Sequence, residues 1–184
     1  HVSTKGSTEM IRFAKSKGVK VTCETAPHYF MFTDKLLEKR DADYRMNPPL
    51  RTDEDLKAII AGIKDGTIDC IITDHAPHTP EEKADFEKAP NGVLGLETSL
   101  AATLTSLYHT GEITLNKIVE LMCVNPRKIL GVEAAEIKKG SIADLVIVDI
   151  NKKWTVDPEK LHSISKNSVF KGQTLTGKPL VTIS

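Results

Sequence analysis

Thr73-Asp74-His75-Ala76-Pro77-His78 sets a carboxylate and two imidazoles directly after the apolar run Ile68-Asp69-Cys70-Ile71-Ile72. A β-branched run that stops at such a cluster reads as a buried parallel strand delivering reactive groups to the rim of an α/β barrel, the face on which that fold carries its active sites. Asp74 is therefore the first candidate catalytic residue.

Outward from this strand the texture alternates. Upstream, Thr52-Asp53-Glu54-Asp55 supplies a capping box, and Leu56, Ile59, Ile60 and Ile63 form one face of a helix that runs to Gly66. Further back, Met10, Ile11, Phe13 and Ala14 fall at helical spacing between Gly6 and Lys17. The strand-like Val19-Lys20-Val21-Thr22-Cys23-Glu24 follows and ends in Thr25-Ala26-Pro27-His28. Thr33 or Asp34 caps a short helix through Leu36 and Leu37. Asp43 to Met46 then reads as a strand leading to Asn47-Pro48-Pro49, whose two prolines force a rigid loop. Helix and strand in alternation predict βα units around a parallel sheet.

Downstream, Thr79 to Gly92 is polar and aperiodic, as a long loop over a site would be, and Leu94 to His109 and Leu115 to Leu130 read as two helices. Past Lys138 the pattern turns to β: a strong strand from Gly140 to Asp149 and weaker segments near Trp154 and from Leu180 to Ile183. The expected fold class is thus α/β, with residues 1–137 as part of a barrel and residues 138–184 as a small β appendage.

Composition narrows the function. Lys+Arg 25 against Asp+Glu 25 gives no basic excess for nucleic acid or an anionic membrane, so a small molecule is the expected ligand. The 3 cysteines, Cys23, Cys70 and Cys123, lack the paired spacings of zinc fingers or disulfide frameworks, which fits a reducing cytoplasmic setting and buried apolar roles. No signal peptide or bilayer-length apolar span is present.

His28, Asn47 and Asp74 all fall at predicted strand ends, and His1 stands just before the first helix, where another strand end belongs. In a barrel those ends converge. A single histidine is more often a satisfied core or surface group, but three agreeing strand ends favour ligation. Two imidazoles and a carboxylate suit a zinc-like ion that activates water, which points to a hydrolase.

Together, Glu24-Thr25-Ala26-Pro27-His28, Asn47-Pro48-Pro49-Leu50-Arg51, Thr73-Asp74-His75-Ala76-Pro77-His78 and Gly95-Leu96-Glu97-Thr98 resemble the dihydroorotases of the amidohydrolase superfamily, in their long-chain bacterial class. The resemblance extends to Ser165-Lys166-Asn167 and Phe170-Lys171-Gly172. It implies a (β/α)8 TIM-type barrel that holds two Zn2+ ions and is flanked by a β-sandwich. His1 and His28 would be metal ligands of the fifth and sixth strands. Asp74, ending the eighth, would ligate the other zinc and serve as general base and acid. Asn47 and His78, with the backbone of Asn91 and Gly92, would hold the substrate.

The implied reaction is reversible opening of dihydroorotate to N-carbamoyl-L-aspartate in pyrimidine synthesis. The family's His-x-His pair, bridging ligand and substrate arginine find no counterpart here. The chain is therefore expected to be a C-terminal portion beginning at the fifth strand, inactive without the missing N-terminal half of the barrel. A homodimer or an assembly with aspartate carbamoyltransferase is implied by resemblance only. The rivals are a hydantoinase or allantoinase sharing the barrel, and a non-catalytic scaffold for the carbamoyltransferase. His75 is assigned no metal role, Arg45 and Arg51 are expected in surface or ion-pair roles, and His109 and His162 are expected to be structural.

Overall fold

Residues 1–133 and 136–184 are described by the computed structural model of the chain. Residues 1–3 run beside a strand: the Val2 amide donates to the Glu24 carbonyl at 2.8 Å, and the Thr25 hydroxyl donates to the Val2 carbonyl at 2.8 Å. Helix α1, Lys5–Ser16, starts where the Thr4 hydroxyl caps the Ser7 amide. Strand β1, Glu24–Thr25, leads through Pro27, which needs no amide partner at a helix start, into the short helix α2, Pro27–Met31. Helix α3, Asp53–Asp65, opens with the expected capping box between Thr52 and Asp55 and buries Ile59 and Ile63. Strand β2, Cys70–Ile71, then pairs in parallel with β1, Glu24 opposite Cys70 and Thr25 opposite Ile71.

The ladder is shorter than the sequence pattern suggests. The Asp69 carboxylate takes the Cys23 amide at 2.8 Å, and the Asp69 and Cys70 amides both donate to the Cys23 carbonyl, at 3.0 and 3.3 Å. A side chain thus replaces the backbone partner at that end, and regular pairing begins one residue later. No strand forms over Asp43 to Met46. A 3-10 turn, Ala42–Tyr44, takes its place, and the Arg45 carbonyl accepts from the Gly92 amide at 2.9 Å, so this stretch supports the downstream loop instead of a sheet.

The expected helix from Leu94 begins only at α4, Ser99–Thr103, which widens into a π-type turn over Leu104–Tyr108. Residues near Val93 are occupied elsewhere: Val93 bridges His75 in parallel and its carbonyl accepts from the Ala76 amide at 2.9 Å. The next expected helix is divided into α5, Leu115–Val119, a π turn over Glu120–Val124, and α6, Asn125–Leu130. Pro126, lacking an amide proton, cannot close the regular bond four residues back.

Strand β3, Leu145–Thr155, merges the two β segments expected near Asp149 and Trp154, and pairs antiparallel with β4, Thr174–Ile183. The described residues form these two two-stranded sheets and no closed barrel or second β layer. The ribbon is joined to the rest: Leu175, Val156, Val169 and Phe170 pack with Tyr29, Met46, Leu50, Val93 and Ala101. A second cluster, around Ile59, Ile63, Ile68, Ile71, Leu104 and Leu121, lies under the helices. Site residues thus stand on elements anchored in two packed cores.

Candidate active site

Asp74 leaves β2 in the left-handed region, with φ 49°. A non-glycine residue there costs about 1–2 kcal/mol, least for aspartate and asparagine, and such strain collects where a side chain must be aimed. The turn is held from the far side, because the His75 Nδ1 accepts from the Gly95 and Leu96 amides at 3.1 and 3.4 Å. Gly95 fits only because it lacks a side chain: a Cβ there would lie 2.2 Å from the Thr73 carbonyl oxygen.

The turn sets the carboxylate between two imidazoles. His1 Nε2 lies 3.1 Å from Oδ1 and His28 Nε2 lies 3.7 Å from Oδ2. The other nitrogen of His1, Nδ1, is 2.9 Å from Glu24 Oε1, so one ring sits between two carboxylates. If Nδ1 carries the proton toward Glu24, the Nε2 lone pair faces Asp74, an acceptor facing an acceptor that only a cation or a second proton reconciles.

His28 is 1% exposed, and its Nε2 has no hydrogen-bond partner. At 3.7 Å it is too far from Asp74 for a hydrogen bond. Burial lowers its pKa to about 3, so the ring is neutral and one of its nitrogens has a lone pair to offer. Burial also raises the Asp74 carboxyl above its ordinary value, with Glu24 adding to the rise. The neighbouring Tyr29 phenol is pushed far up, by burial first and by Asp74 second, and stays protonated. An orphaned neutral imidazole, a second imidazole and a partly buried carboxylate are a donor set that a zinc-like cation fits. Among the described residues, no three or more His, Cys, Asp or Glu side chains are placed to hold a metal ion together, and the two histidines approach different carboxylate oxygens.

Of the other expected site residues, His78, Asn91 and Gly92 form a second group, to which Asn47 is not joined by a hydrogen bond. Asn47 is exposed and precedes Pro48, whose carbonyl accepts from the Tyr29 hydroxyl at 2.8 Å; it stands in a loop and not at a strand end. His78 Nε2 is 3.0 Å from the Asn91 carbonyl, which fixes its donor there, and Nδ1 is 3.6 Å from Glu82. Gly92, with φ 130°, packs where a Cβ would meet that of Ala76 at 2.4 Å. The structure therefore brings His1, His28 and Asp74 into one cluster and His78, Asn91 and Gly92 into another.

Sequence reasoning missed the residues that hold these groups. Glu24 orients His1. Lys83 donates to the carbonyls of Ala42 at 3.0 Å and Pro90 at 2.9 Å, tying the loop to the segment before Asn47. The buried Asn167 reaches Ala76, His78 and Gly92. Glu24 and Asn167 stand in motifs that carry the resemblance but were given no role there, and Lys83 carried no signal. Arg45 donates to the Phe86 carbonyl, His109 Nε2 to the Ile150 carbonyl at 2.8 Å, and His162 is held at 2.8 Å by Glu97, all contacts within the fold. Among the described residues no helix is long and apolar enough to cross a membrane.

Two parallel strands with imidazole and carboxylate groups gathered past their ends are the arrangement that α/β-barrel enzymes carry on their catalytic face. The amidohydrolase family matches residues 1–184, and the chain belongs to that family. It is similar to the dihydroorotases of Geobacter metallireducens, 52% identical, and Acetivibrio thermocellus, 50% identical, covering 100% of this chain and 43% of each relative. Among solved structures, the L-hydantoinase (dihydropyrimidinase) from Arthrobacter aurescens superimposes with a TM-score of 0.92 at 36% identity, over 100% of this chain and 42% of that one. The dihydropyrimidinase from Brevibacillus agri gives 0.93 at 29% identity, again over 100% and 42%. The chain thus spans 43% of the length of the curated relatives it matches.

Proposed function

We propose that this chain is the C-terminal part of a dihydroorotase, which hydrolyses the cyclic amide of dihydroorotate reversibly to N-carbamoyl-L-aspartate. The observation that carries the reading is Asp74, aimed by a left-handed turn between the nitrogens of His1 and His28. The choice within the family rests on relatedness: the curated dihydroorotases are 46–52% identical, the hydantoinase structure 36%. In this reading residues 1–137 form the later half of a TIM-type barrel, beginning at its fifth strand. Residues 138–184 are a β appendage whose exposed Val146, Ile147, Leu180 and Val181 would be covered by further strands of a sandwich.

His1 and His28 would hold one Zn2+ and Asp74 the other, with the remaining ligands of both supplied by the rest of the protein. Zinc bound there supplies Lewis acidity toward the amide carbonyl and lowers the pKa of water. Asp74 takes the proton of the attacking water and delivers it to the leaving ring nitrogen. The buried, neutral His28 keeps its lone pair available whatever the working pH above about 3. His78 gives up the Asn91 carbonyl to donate to the substrate, alongside Asn47 and the Asn91-Gly92 backbone.

The complete protein, loaded with zinc, is expected to open dihydroorotate in strong preference to hydantoin and allantoin. Equal or better rates on hydantoin would place the pocket with the hydantoinases, and no turnover of any of the three would leave a scaffold. His28→Ala removes an imidazole that no protein group satisfies, and metal analysis should find the bound zinc reduced by about 10-fold or more at limiting free metal. Unchanged metal content in a folded variant would withdraw the ligand assignment.

A further inference from the structure

We infer that Asn167 is a positioning residue for substrate binding, a buried side-chain clasp that sets the distance between the His78 turn and the Asn91-Gly92 loop. Asn167 lies in the connection between β3 and β4, far in sequence from both groups, and is 4% exposed. Its amide group is used from both ends. Oδ1 accepts from the His78 backbone amide at 3.1 Å, while Nδ2 donates to the Ala76 carbonyl at 3.0 Å and to the Gly92 carbonyl at 3.1 Å. Its backbone carbonyl also accepts from the Leu94 amide at 2.9 Å.

No other residue type of that size can accept once and donate twice from one planar group, so the clasp is specific to the carboxamide. The segments it joins meet closely. A Cβ on Gly92 would come within 3.2 Å of His78 Nε2, and that nitrogen is held by the Asn91 carbonyl. Asp74, His1 and His28 are fixed separately, by β1, β2 and the packing around α2. Losing the clasp should therefore disturb the groups that hold the substrate while sparing those that act on it.

This inference rests on the dihydroorotase reading, and its test separates the two. Asn167→Asp keeps the shape and the acceptor but turns both donors into a lone pair facing two carbonyls; Asn167→Ala removes the group. In the complete zinc enzyme either variant should raise KM for dihydroorotate about 10-fold or more, the scale of a buried hydrogen bond lost from a binding step, with kcat and bound zinc retained. A KM equal to that of the parent overturns the proposal. So does a parallel fall in kcat and zinc content, which marks general loss of structure.

If the parent enzyme does not open dihydroorotate, the functional reading fails and the clasp is judged by amide exchange alone. In Asn167→Asp the amides of Ala76, His78 and residues 91–95 must then exchange faster while those of α3 keep their protection. Unchanged exchange there, or loss of protection in α3 as well, overturns it.

Discussion

Asp74→Asn in the complete enzyme is expected to lower kcat by about 10³-fold or more, in the upper range of what a positioned acid–base group contributes, while the protein stays folded. Asparagine is the most informative replacement because it is nearly isosteric and, like aspartate, tolerates the left-handed backbone that Asp74 adopts at φ 49°. The variant keeps the aim of the side chain and loses its charge and its proton affinity. His1 then faces a neutral amide in place of a carboxylate 3.1 Å from Nε2, so its hold on the turn weakens without disappearing. Steady-state kinetics with dihydroorotate, paired with thermal unfolding, read the two effects apart. A kcat within about 10-fold of the parent would remove Asp74 from the proton-transfer role, since that is below the usual range for such a group.

Asp74 and His28 were legible for a local reason: each follows an apolar run within a few residues, and a buried strand that stops at a polar group has few structural explanations for it. The capping box of α3 was legible for the same reason, because Thr52 and Asp55 satisfy each other within one turn. Strand lengths were not. The ladder between β1 and β2 starts where it does because the Asp69 side chain intercepts the Cys23 amide from 46 residues away, a contact with no period and no neighbouring motif. Asn47 is expected at a strand end because the two prolines after it stop regular structure, whereas the segment before it forms a 3-10 turn and its backbone is recruited by Gly92. Asn167 carried a resemblance but no mechanism, since its partners lie 75 to 91 residues away. The residues of the candidate site stand out by type and place; the groups that hold them act through long-range bonds that a linear pattern does not encode.

The second large effect is expected from a residue with no side chain. Gly95→Ala places a Cβ 2.2 Å from the carbonyl oxygen of Thr73, 3.0 Å from its carbonyl carbon and 3.1 Å from its Cβ. Two of these three atoms are backbone, so no rotamer change relieves the clash, and the chain must part just before Asp74. Overpacking a well-filled site usually costs about 1–3 kcal/mol, and a backbone clash belongs at or above the top of that range. Against a total stability of about 5–15 kcal/mol, that is enough to shift a denaturation midpoint visibly. The same displacement also pulls the Gly95 amide from His75 Nδ1, now 3.1 Å away, and loosens the turn that aims the carboxylate. Gly95→Ala should thus lose stability and kcat together. Gly6→Ala serves as the control: a Cβ there meets nothing within 4 Å, and alanine in α1 should leave stability equal or slightly higher. Urea midpoints and turnover measured on both variants decide it. A Gly95→Ala protein with the parent's midpoint and the parent's kcat would mean that the Thr73–Gly95 contact yields freely and that the turn at Asp74 is held by something else.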